Sequence, residues 1–328
     1  MKILVTGGLG FIGSNFILHT LEKHPKFKIT NIDACLPGSN IENLRQIKKN
    51  HNYKYVKGNI TNKKLVEKIV ANTDVVINFA AESHVDRSIA DPRPFIDSNI
   101  YGAYTLLEAI RKYKKRLIQI STDEVFGSLK SGNAIEQFPF NPSSPYAASK
   151  AAAENLANSY FITYDCDVTI TRCTNNYGPR QSPEKLIPKT ILLANQNKKI
   201  PIYGTGKNIR DWIFVLDHCN AVLKVLLKGE KGKSYNISAN NEVDNLTIVK
   251  KILKIMGKSS DLIQLVSDRP GHDFRYSLNS GKIRRKLDWK PTYSFEKGLE
   301  YTINWYQENI DWRKKLSHDM FSIPWKTR

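Results

Sequence analysis

Short apolar runs alternate with longer amphipathic stretches through the first half of the chain. The short runs predict strands over residues 2–6, 28–32, 53–57, 74–79, 116–120 and 168–172. The longer stretches predict helices over residues 11–22 and 97–112 and from Tyr146 to about Tyr164. Because strands separated by helices are typical of a parallel sheet, we expect an α/β fold with a doubly wound sheet.

The second half has a looser pattern that is richer in Pro, Lys and Gly. Its apolar positions predict a further helix and strand of the large sheet over residues 213–227 and 235–237, and helices after Pro188 and over residues 246–256, 282–287 and 295–309. We expect the later helices to form a smaller α/β substrate domain. The predicted domains are residues 1–177 with 212–240, and residues 178–211 with 241–328.

A glycine-rich turn lies between the first predicted strand and the first predicted helix. Gly7, Gly10 and Gly13 permit a tight turn, close approach of a pyrophosphate and close packing of helix on strand. The phosphates would rest at the helix N-terminus. Asp33 ends the second strand, where a carboxylate can hold the ribose hydroxyls and repel a 2′-phosphate. The pattern predicts a Rossmann-type domain that binds NAD rather than NADP.

Tyr146 and Lys150 lie four residues apart in a predicted helix, so both side chains share one helix face. A neighbouring ammonium stabilises a phenolate, which makes a tyrosine usable as a base near neutral pH. The same lysine can reach a nicotinamide ribose. This pair predicts an active site in which hydride moves.

Two adjacent carboxylates, Asp123 and Glu124, follow the strand predicted over residues 116–120. The carboxyl ends of parallel strands are where open α/β sheets place their chemistry. Adjacent like charges push two pKa values apart, so one carboxyl can act as an acid and the other as a base. The alternative is that both carboxylates only cap the next turn.

Together with the segment 175–179, Asn-Asn-Tyr-Gly-Pro, these motifs resemble the extended short-chain dehydrogenase/reductase family that acts on nucleotide sugars. The segment 121–127, Ser-Thr-Asp-Glu-Val-Phe-Gly, resembles the sugar-nucleotide 4,6-dehydratases of that family. Further matches occur in order at residues 183–188, 210–212 and 268–273, and the resemblance ends near Asn309. The resemblance implies NAD-dependent dehydration of a nucleoside-diphosphate hexose to a 4-keto-6-deoxy sugar, with dTDP-glucose as the leading substrate.

The resemblance also implies roles for individual residues. Tyr146, helped by Thr122, would take the sugar 4-hydroxyl proton while hydride leaves C4. Glu124 would remove the C5 proton, Asp123 would protonate the departing C6 hydroxyl, and hydride would return to C6. The implied cofactor-binding residues are Gly7, Gly10, Phe11, Ile12, Gly13, Asp33, Asn59, Ile60, Ala80, Ala81, Ser83, Ser98, Tyr146, Lys150 and Asn176. The implied substrate-binding residues are His84, Thr122, Asn175, Lys185, Leu186, Tyr203, Arg210, Asn245, Arg269 and His272.

Three places depart from the family pattern. Asn59 stands where the family usually has an acid that reads the adenine amino group, and its amide oxygen can still accept that hydrogen bond. Phe126 replaces a common Tyr without changing the catalytic residues. Arg180 and Ser182 alter a loop on the substrate side, so the nucleotide base and the sugar stay open.

Other activities fit parts of the same pattern. A 4,6-dehydratase could act on UDP-glucose or UDP-N-acetylglucosamine and could also epimerise C5. A UDP-sugar 4-epimerase or decarboxylase would share the glycine turn and the Tyr–Lys pair but would not need the two carboxylates. A nucleic-acid-associated NAD-binding protein is the non-enzyme alternative, because the formal net charge is +19.

Composition narrows the partners and the compartment. The lysines are spread along surface-like helices rather than gathered in one block, so we expect solvated faces and no nucleic acid. Four scattered cysteines without a C-x-x-C pair favour a reducing cytoplasm and no metal site. No segment approaches the roughly 20 apolar residues of a membrane span, and no signal-peptide pattern follows Met1. The resemblance implies a homodimer, formed through helices near Thr105 and Tyr160.

Overall fold

The computed structural model describes residues 1–309 and Trp312. The strands in this part of the chain are β1 (Lys2–Thr6), β2 (Lys28–Asp33), β3 (Tyr53–Lys57), β4 (Val75–Asn78), β5 (Arg116–Thr122), β6 (Val168–Cys173), β7 (Asn175–Tyr177), β8 (Ile200–Tyr203), β9 (Ile209–Phe214), β10 (Ser234–Ile237), β11 (Glu242–Asp244) and β12 (Ile263–Val266). The α-helices are α1 (Phe11–Lys23), α2 (Lys63–Val70), α3 (Val85–Ala90), α4 (Arg93–Phe95), α5 (Gly102–Tyr113), α6 (Pro145–Tyr164), α7 (Leu186–Asn195), α8 (Val215–Lys228), α9 (Asn245–Ile255), α10 (Gly281–Leu287) and α11 (Phe295–Glu308).

Seven parallel strands form the large sheet, in the order β3-β2-β1-β4-β5-β6-β10. The strand order reverses between β1 and β4, and such a switch point opens a crevice at the carboxyl ends of the strands. The predicted doubly wound sheet is therefore confirmed. The predicted additional helix and strand are confirmed as α8 and β10.

Helices cover both faces of this sheet. Ile3 and Val5 of β1 belong to the core that α1 and α8 cover, whereas Leu4 belongs to the opposite core under α2, α5 and α6. All three side chains are fully buried. Because a parallel sheet is buried on both faces, its central strands are continuous apolar runs, which is why the sequence pattern locates them.

Two small sheets lie in the second half of the chain. Strand β9 pairs in parallel with β7 and antiparallel with β11, and β8 pairs in parallel with β12. Helices α7, α9 and α11 share a core through Ile191, Ile252 and Leu299. The predicted smaller α/β part is present. The predicted domain boundaries stay a prediction, and positions 310, 311 and 313–328 at the end of the second domain lie outside the described residues.

The sequence pattern missed short elements and misplaced one helix start. Helices α2, α3 and α4 and the small strands β7, β8, β9, β11 and β12 were not predicted. Helix α7 begins at Leu186, before the start predicted after Pro188, and has Pro188 in its first turn. The first N–H groups of a helix have no partner within the helix, so a proline is tolerated there. Among the described helices, none is long and apolar enough to cross a bilayer.

Candidate active site

An open cleft of about 1670 Å³, including solvent at its mouth, lies at the carboxyl ends of the central strands. It gathers all of the predicted catalytic and cofactor residues. The predicted residues that line it are Gly7, Gly10, Phe11, Ile12, Gly13, Asp33, Asn59, Ile60, Ala80, Ala81, Ser83, His84, Ser98, Thr122, Asp123, Glu124, Tyr146, Lys150, Asn175, Asn176 and Lys185. The predicted substrate residues that do not line it are Leu186, Tyr203, Arg210, Asn245, Arg269 and His272.

The glycine turn forms one end of the cleft. Gly7 has a φ of +67°, and a Cβ at this position would lie 2.6 Å from the backbone nitrogen of Ala80. A Cβ on Gly13 would lie 2.4 Å from the carbonyl oxygen of Gly7. Helix α1 begins directly after Gly10, so its N-terminal N–H groups face the turn. The packing leaves backbone, not side chains, at the place where a pyrophosphate would bind.

Asp33 lies beside this turn at the end of β2 and is almost fully buried. Its carboxylate accepts hydrogen bonds from the backbone nitrogens of Leu9 and Cys35, at 2.9 and 2.8 Å, and from Ser39 Oγ at 2.9 Å. These donors fix the acid at the cleft wall. Asn59 follows β3, the next strand outward, and its Oδ1 accepts from Thr61 N at 3.0 Å. The strand order therefore fits a dinucleotide with phosphates at β1, ribose at β2 and base toward β3.

Tyr146 and Lys150 stand on the first turns of α6, which Ser144 caps through its hydroxyl. Both side chains are buried. The structure differs from the expected pairing, because Lys150 Nζ donates to the carbonyl oxygen of Ile120 at 2.6 Å. Burial and the nearby Glu124 carboxylate raise the pKa of the Tyr146 phenol well above its usual value. Burial also lowers the pKa of Lys150 to about 8.

Asp123 and Glu124 form the start of a 3₁₀ turn that follows β5 directly. Thr122 caps this turn, since its Oγ1 accepts from the Glu124 nitrogen at 3.3 Å and donates to Asp123 Oδ1 at 3.1 Å. The capping group of this turn is therefore the Thr122 hydroxyl and not either carboxylate, so both carboxyls are available for acid–base chemistry. Among the described residues, Asp123 Oδ2 is buried and has no hydrogen-bond partner.

The surroundings of the two carboxyls differ in electrostatic terms. Burial and the neighbouring charge of Glu124 raise the pKa of Asp123 well above its usual value. Burial also raises the pKa of Glu124, but the cationic side chains of Arg269, Lys185 and Arg210 oppose that rise. Asp123 is therefore the better proton donor and Glu124 the better base.

The substrate side of the cleft carries charged groups from both halves of the chain. Lys185 Nζ donates to the carbonyl oxygen of Ser83 at 3.1 Å. His84 Nε2 lies 3.6 Å from Glu184 Oε2, and Arg87 donates to the same oxygen at 2.8 Å. Burial and the nearby lysines and arginines lower the pKa of His84 well below its usual value, so the imidazole is neutral at pH 7.

The predicted substrate residues that do not line the cleft contact other parts of the protein. Arg269 Nη1 and the Tyr203 hydroxyl both contact the carboxylate of Asp86 on α3, at 3.0 and 3.3 Å. Arg210 donates to the carbonyls of Ile209, Asp273 and Phe274. His272 Nδ1 lies 2.7 Å from Asp268 Oδ1, and Asn245 N donates to the carbonyl of Asn208. Leu186 packs in the core between α7 and α9.

Sequence reasoning missed several cleft residues. Ser39, Cys173, Thr174, Gln181 and Glu184 all line the cleft. Cys173 and Thr174 could have been found, because Cys173 ends β6 as Thr122 ends β5, and Thr174 follows directly. Glu184 lies in the matched segment 183–188 but was given no role, because its contacts are with residues about a hundred positions earlier.

The fold and this cleft define a class of protein: a dinucleotide-binding enzyme with a Tyr–Lys helix and two carboxyls prepared for acid–base work. A family model described as GDP-mannose 4,6 dehydratase matches residues 4–302, and the chain belongs to this family. The predicted family is thereby confirmed.

Similar proteins carry a narrower description. A dTDP-glucose 4,6-dehydratase of Streptomyces niveus is 44% identical over 321 residues, which cover 96% of each chain. A solved dTDP-glucose 4,6-dehydratase from Bacillus anthracis, in complex with NAD, is 46% identical with a TM-score of 0.92, over 97% of this chain and 100% of that one. The dTDP-glucose 4,6-dehydratase DesIV from Streptomyces venezuelae, also solved with NAD, is 41% identical with a TM-score of 0.94, over the same shares.

Proposed function

We propose that this protein is an NAD-dependent dTDP-glucose 4,6-dehydratase, which converts the sugar nucleotide to its 4-keto-6-deoxy form. The observation that carries the proposal is the pair Asp123 and Glu124, whose protonation preferences are separated in the same cleft as Tyr146. Elimination of water needs one group that gives a proton and one that takes a proton. The activities of the relatives support the same reaction.

The residues of this chain would divide the reaction among them. Tyr146 accepts the proton of the sugar 4-hydroxyl, for which its raised pKa must fall once NAD and substrate are bound. Lys150, one helical turn away, would stabilise the phenolate by leaving its hydrogen bond to the Ile120 carbonyl. Bound NAD would supply the acceptor for the C4 hydride and the donor that returns hydride to C6. Glu124 removes the C5 proton, which the 4-ketone has made acidic. Asp123 donates its proton to the C6 hydroxyl, which leaves as water.

The substrate diphosphate would lie on the side of the cleft where positive charge gathers. Lys185 lines this side, and Arg269 and Arg210 act electrostatically on Glu124 from behind it. Guanidinium groups suit phosphate oxygens because they offer paired donors. We infer that Asn175, whose Oδ1 is buried without a partner among the described residues, helps to hold the substrate.

Product masses test the reaction and the substrate together. The purified protein is incubated separately with dTDP-glucose, UDP-glucose, UDP-N-acetylglucosamine and a UDP-uronic acid, with Glu124→Gln as the matched inactive control. We expect a product lighter by one water from dTDP-glucose, with no accumulation of NADH. A product of unchanged mass would instead indicate a 4-epimerase, and loss of carbon dioxide from a UDP-uronic acid would indicate a decarboxylase. Salt-sensitive binding of nucleic acid without any turnover would favour the non-enzyme alternative.

We also infer a homodimer and a cytoplasmic location. The family resemblance implies a dimer contact through α5 and α6. Exposed apolar side chains occur on or next to these helices, and they are Tyr101, Tyr104, Ile162 and Tyr164. Each of the four cysteines is free, which suits a reducing compartment. Light scattering on the purified protein tests the dimer, and cell fractionation tests the location.

A further inference from the structure

Tyr276 contacts the catalytic base Glu124 but is not among the residues that line the cleft. Its hydroxyl is 3.5 Å from Glu124 Oε2 and donates to Asp273 Oδ2 at 2.5 Å. The phenol is 2% exposed and does not line the cleft. Catalytic hydrogen bonds are often long without substrate and tighten when substrate binds. The 3.5 Å separation is therefore compatible with proton transfer between Glu124 and Tyr276 once substrate is bound.

The contacts continue from Tyr276 to the surface. Asp273 is buried, and the same Oδ2 atom accepts a hydrogen bond from Ser143 Oγ. Ser143 is exposed and lies two residues before the start of α6. The four side chains Glu124, Tyr276, Asp273 and Ser143 therefore form one continuous path from the half-buried base at the cleft, through the buried Tyr276 and Asp273, to solvent.

Neighbouring groups hold this path in place. Arg210 lies over the Tyr276 ring, with its Cζ 4.3 Å from the ring centroid, and donates to the Asp273 carbonyl at 2.9 Å. Asn208 Nδ2 donates to the same carbonyl at 3.2 Å. Burial and the Glu124 charge raise the pKa of the Tyr276 phenol, which keeps it neutral and able to pass a proton.

We propose that Glu124, Tyr276, Asp273 and Ser143 form a proton relay that exchanges the proton taken from C5 with solvent while substrate fills the cleft. This inference rests on the proposed dehydratase function. Protonated Glu124 gives its proton to the Tyr276 oxygen as the phenol proton moves to the Asp273 carboxylate. Asp273 then releases that proton to water at the Ser143 hydroxyl, and the phenol hydrogen turns back toward Asp273. One proton enters the relay and one leaves it, so its charge is unchanged.

Substrate deuterated at C5 tests the relay in ordinary water. The wild type should give dehydrated product that has lost the deuterium, because Glu124 exchanges it before C5 is reprotonated. Tyr276→Phe lacks the hydroxyl, so the same deuteron should return to C5, with exchange slowed about tenfold or more. Asp273→Asn should behave in the same way. Tyr235→Phe is the matched control, because Tyr235 is a buried tyrosine whose hydroxyl binds the Glu230 backbone remote from these residues.

The measurement is the isotope content of the product at C5. The reaction is quenched early and the product ketone is reduced at once, so that C5 cannot exchange its hydrogen without the enzyme. Thermal unfolding and NAD binding of each variant show that it is folded. Retained deuterium in Tyr276→Phe and Asp273→Asn, but not in Tyr235→Phe, supports the relay. Complete loss of deuterium in Tyr276→Phe, or retention in the wild type, would overturn it. Absence of any dehydrated product from the wild type would overturn the proposed function, and the relay with it.

Discussion

Arg172 of β6 and Glu154 of α6 form an ion pair in which both side chains are almost completely buried. Arg172 Nη2 lies 2.6 Å from Glu154 Oε2, with side-chain exposures of 5% and 1%. Arg172 pairs in register with Ser121 of β5, and Glu154 follows Lys150 by one helical turn. The guanidinium also lies 5.0 Å from the centre of the Phe126 ring, in the turn that carries the two catalytic carboxyls. The pair therefore joins the Tyr–Lys helix to the carboxyl turn.

Removing one partner of this pair should strongly destabilise the protein. Arg172→Met leaves the Glu154 carboxylate buried without its cation, and such a change costs about 3–5 kcal/mol of unfolding free energy. Urea unfolding of the variant measures the loss. Replacing both residues, as Arg172→Met with Glu154→Leu, should cost less than the sum of the two single changes, since no buried charge is left alone. Additive losses would show that the two side chains act independently.

Two glycines of the cofactor turn should respond differently to an added methyl group. A Cβ on Gly13 would lie 2.4 Å from a backbone oxygen, so Gly13→Ala should disturb the turn and lower the melting temperature. A Cβ on Gly10 would meet only the Gly7 oxygen, at 3.2 Å, and Gly10 lines the cleft. Gly10→Ala should therefore fold normally but bind NAD at least about tenfold more weakly, which corresponds to about 1.4 kcal/mol. Calorimetric titration with NAD checks the affinity. Equal losses of stability in both variants would contradict this distinction.

The large sheet could be predicted from the sequence, whereas the rim of the substrate site could not. Leu4, Val76 and Leu117 lie in strands buried on both faces, so each strand is an apolar run that stands out from its neighbours. Strands β7 and β11 have three residues each, too few for a pattern to be distinguished from a loop.

In the active site, too, some residues could be predicted from the sequence and others could not. Asp123, Glu124, Tyr146 and Lys150 could be predicted because each follows directly from a strand end or from helical spacing. The partners that tune them come from distant segments. Lys150 donates to Ile120, thirty residues away, and Tyr276 approaches Glu124 from 152 residues away. Residue types and local spacing carry no information about such contacts, so neither the bond of Lys150 to Ile120 nor the approach of Tyr276 to Glu124 could be foreseen.

The roles of the two carboxyls should be separable from that of Tyr146 by the step at which each variant stops. Glu124→Gln removes the base for C5, and Asp123→Asn removes the proton donor for the C6 hydroxyl. In both variants C4 oxidation should proceed while loss of water slows by about 10²–10⁴-fold, the usual contribution of a general acid or base. Reduced nicotinamide should therefore accumulate during the reaction, and its absorbance measures it. Tyr146→Phe is the control, since it should block oxidation and give no such signal. Oxidation that fails in all three variants would contradict separate roles.

The pH dependence of kcat/KM should follow the protonation states of these carboxyls. Glu124 works as a base only when ionised, so the rate should rise with pH through its pKa, which burial has raised from the ordinary glutamate range. Asp123 works as an acid only when protonated, and loss of that proton should contribute to the fall at high pH. Lys150, whose pKa is about 8, also loses its charge as the pH rises, so its deprotonation should add to the fall of the rate at high pH.

Arg269 gives this profile a specific test. Among the groups that hold the Glu124 pKa down, the guanidinium of Arg269 has the largest effect. Arg269→Met should therefore raise the Glu124 pKa and move the acidic limb of the profile to higher pH, whatever it does to the maximum rate. Lys251→Met removes an equal charge from an exposed pair with Glu296 and should leave the limb unmoved. An acidic limb that stays in place or moves to lower pH in Arg269→Met would show that Glu124 is not the group that titrates there.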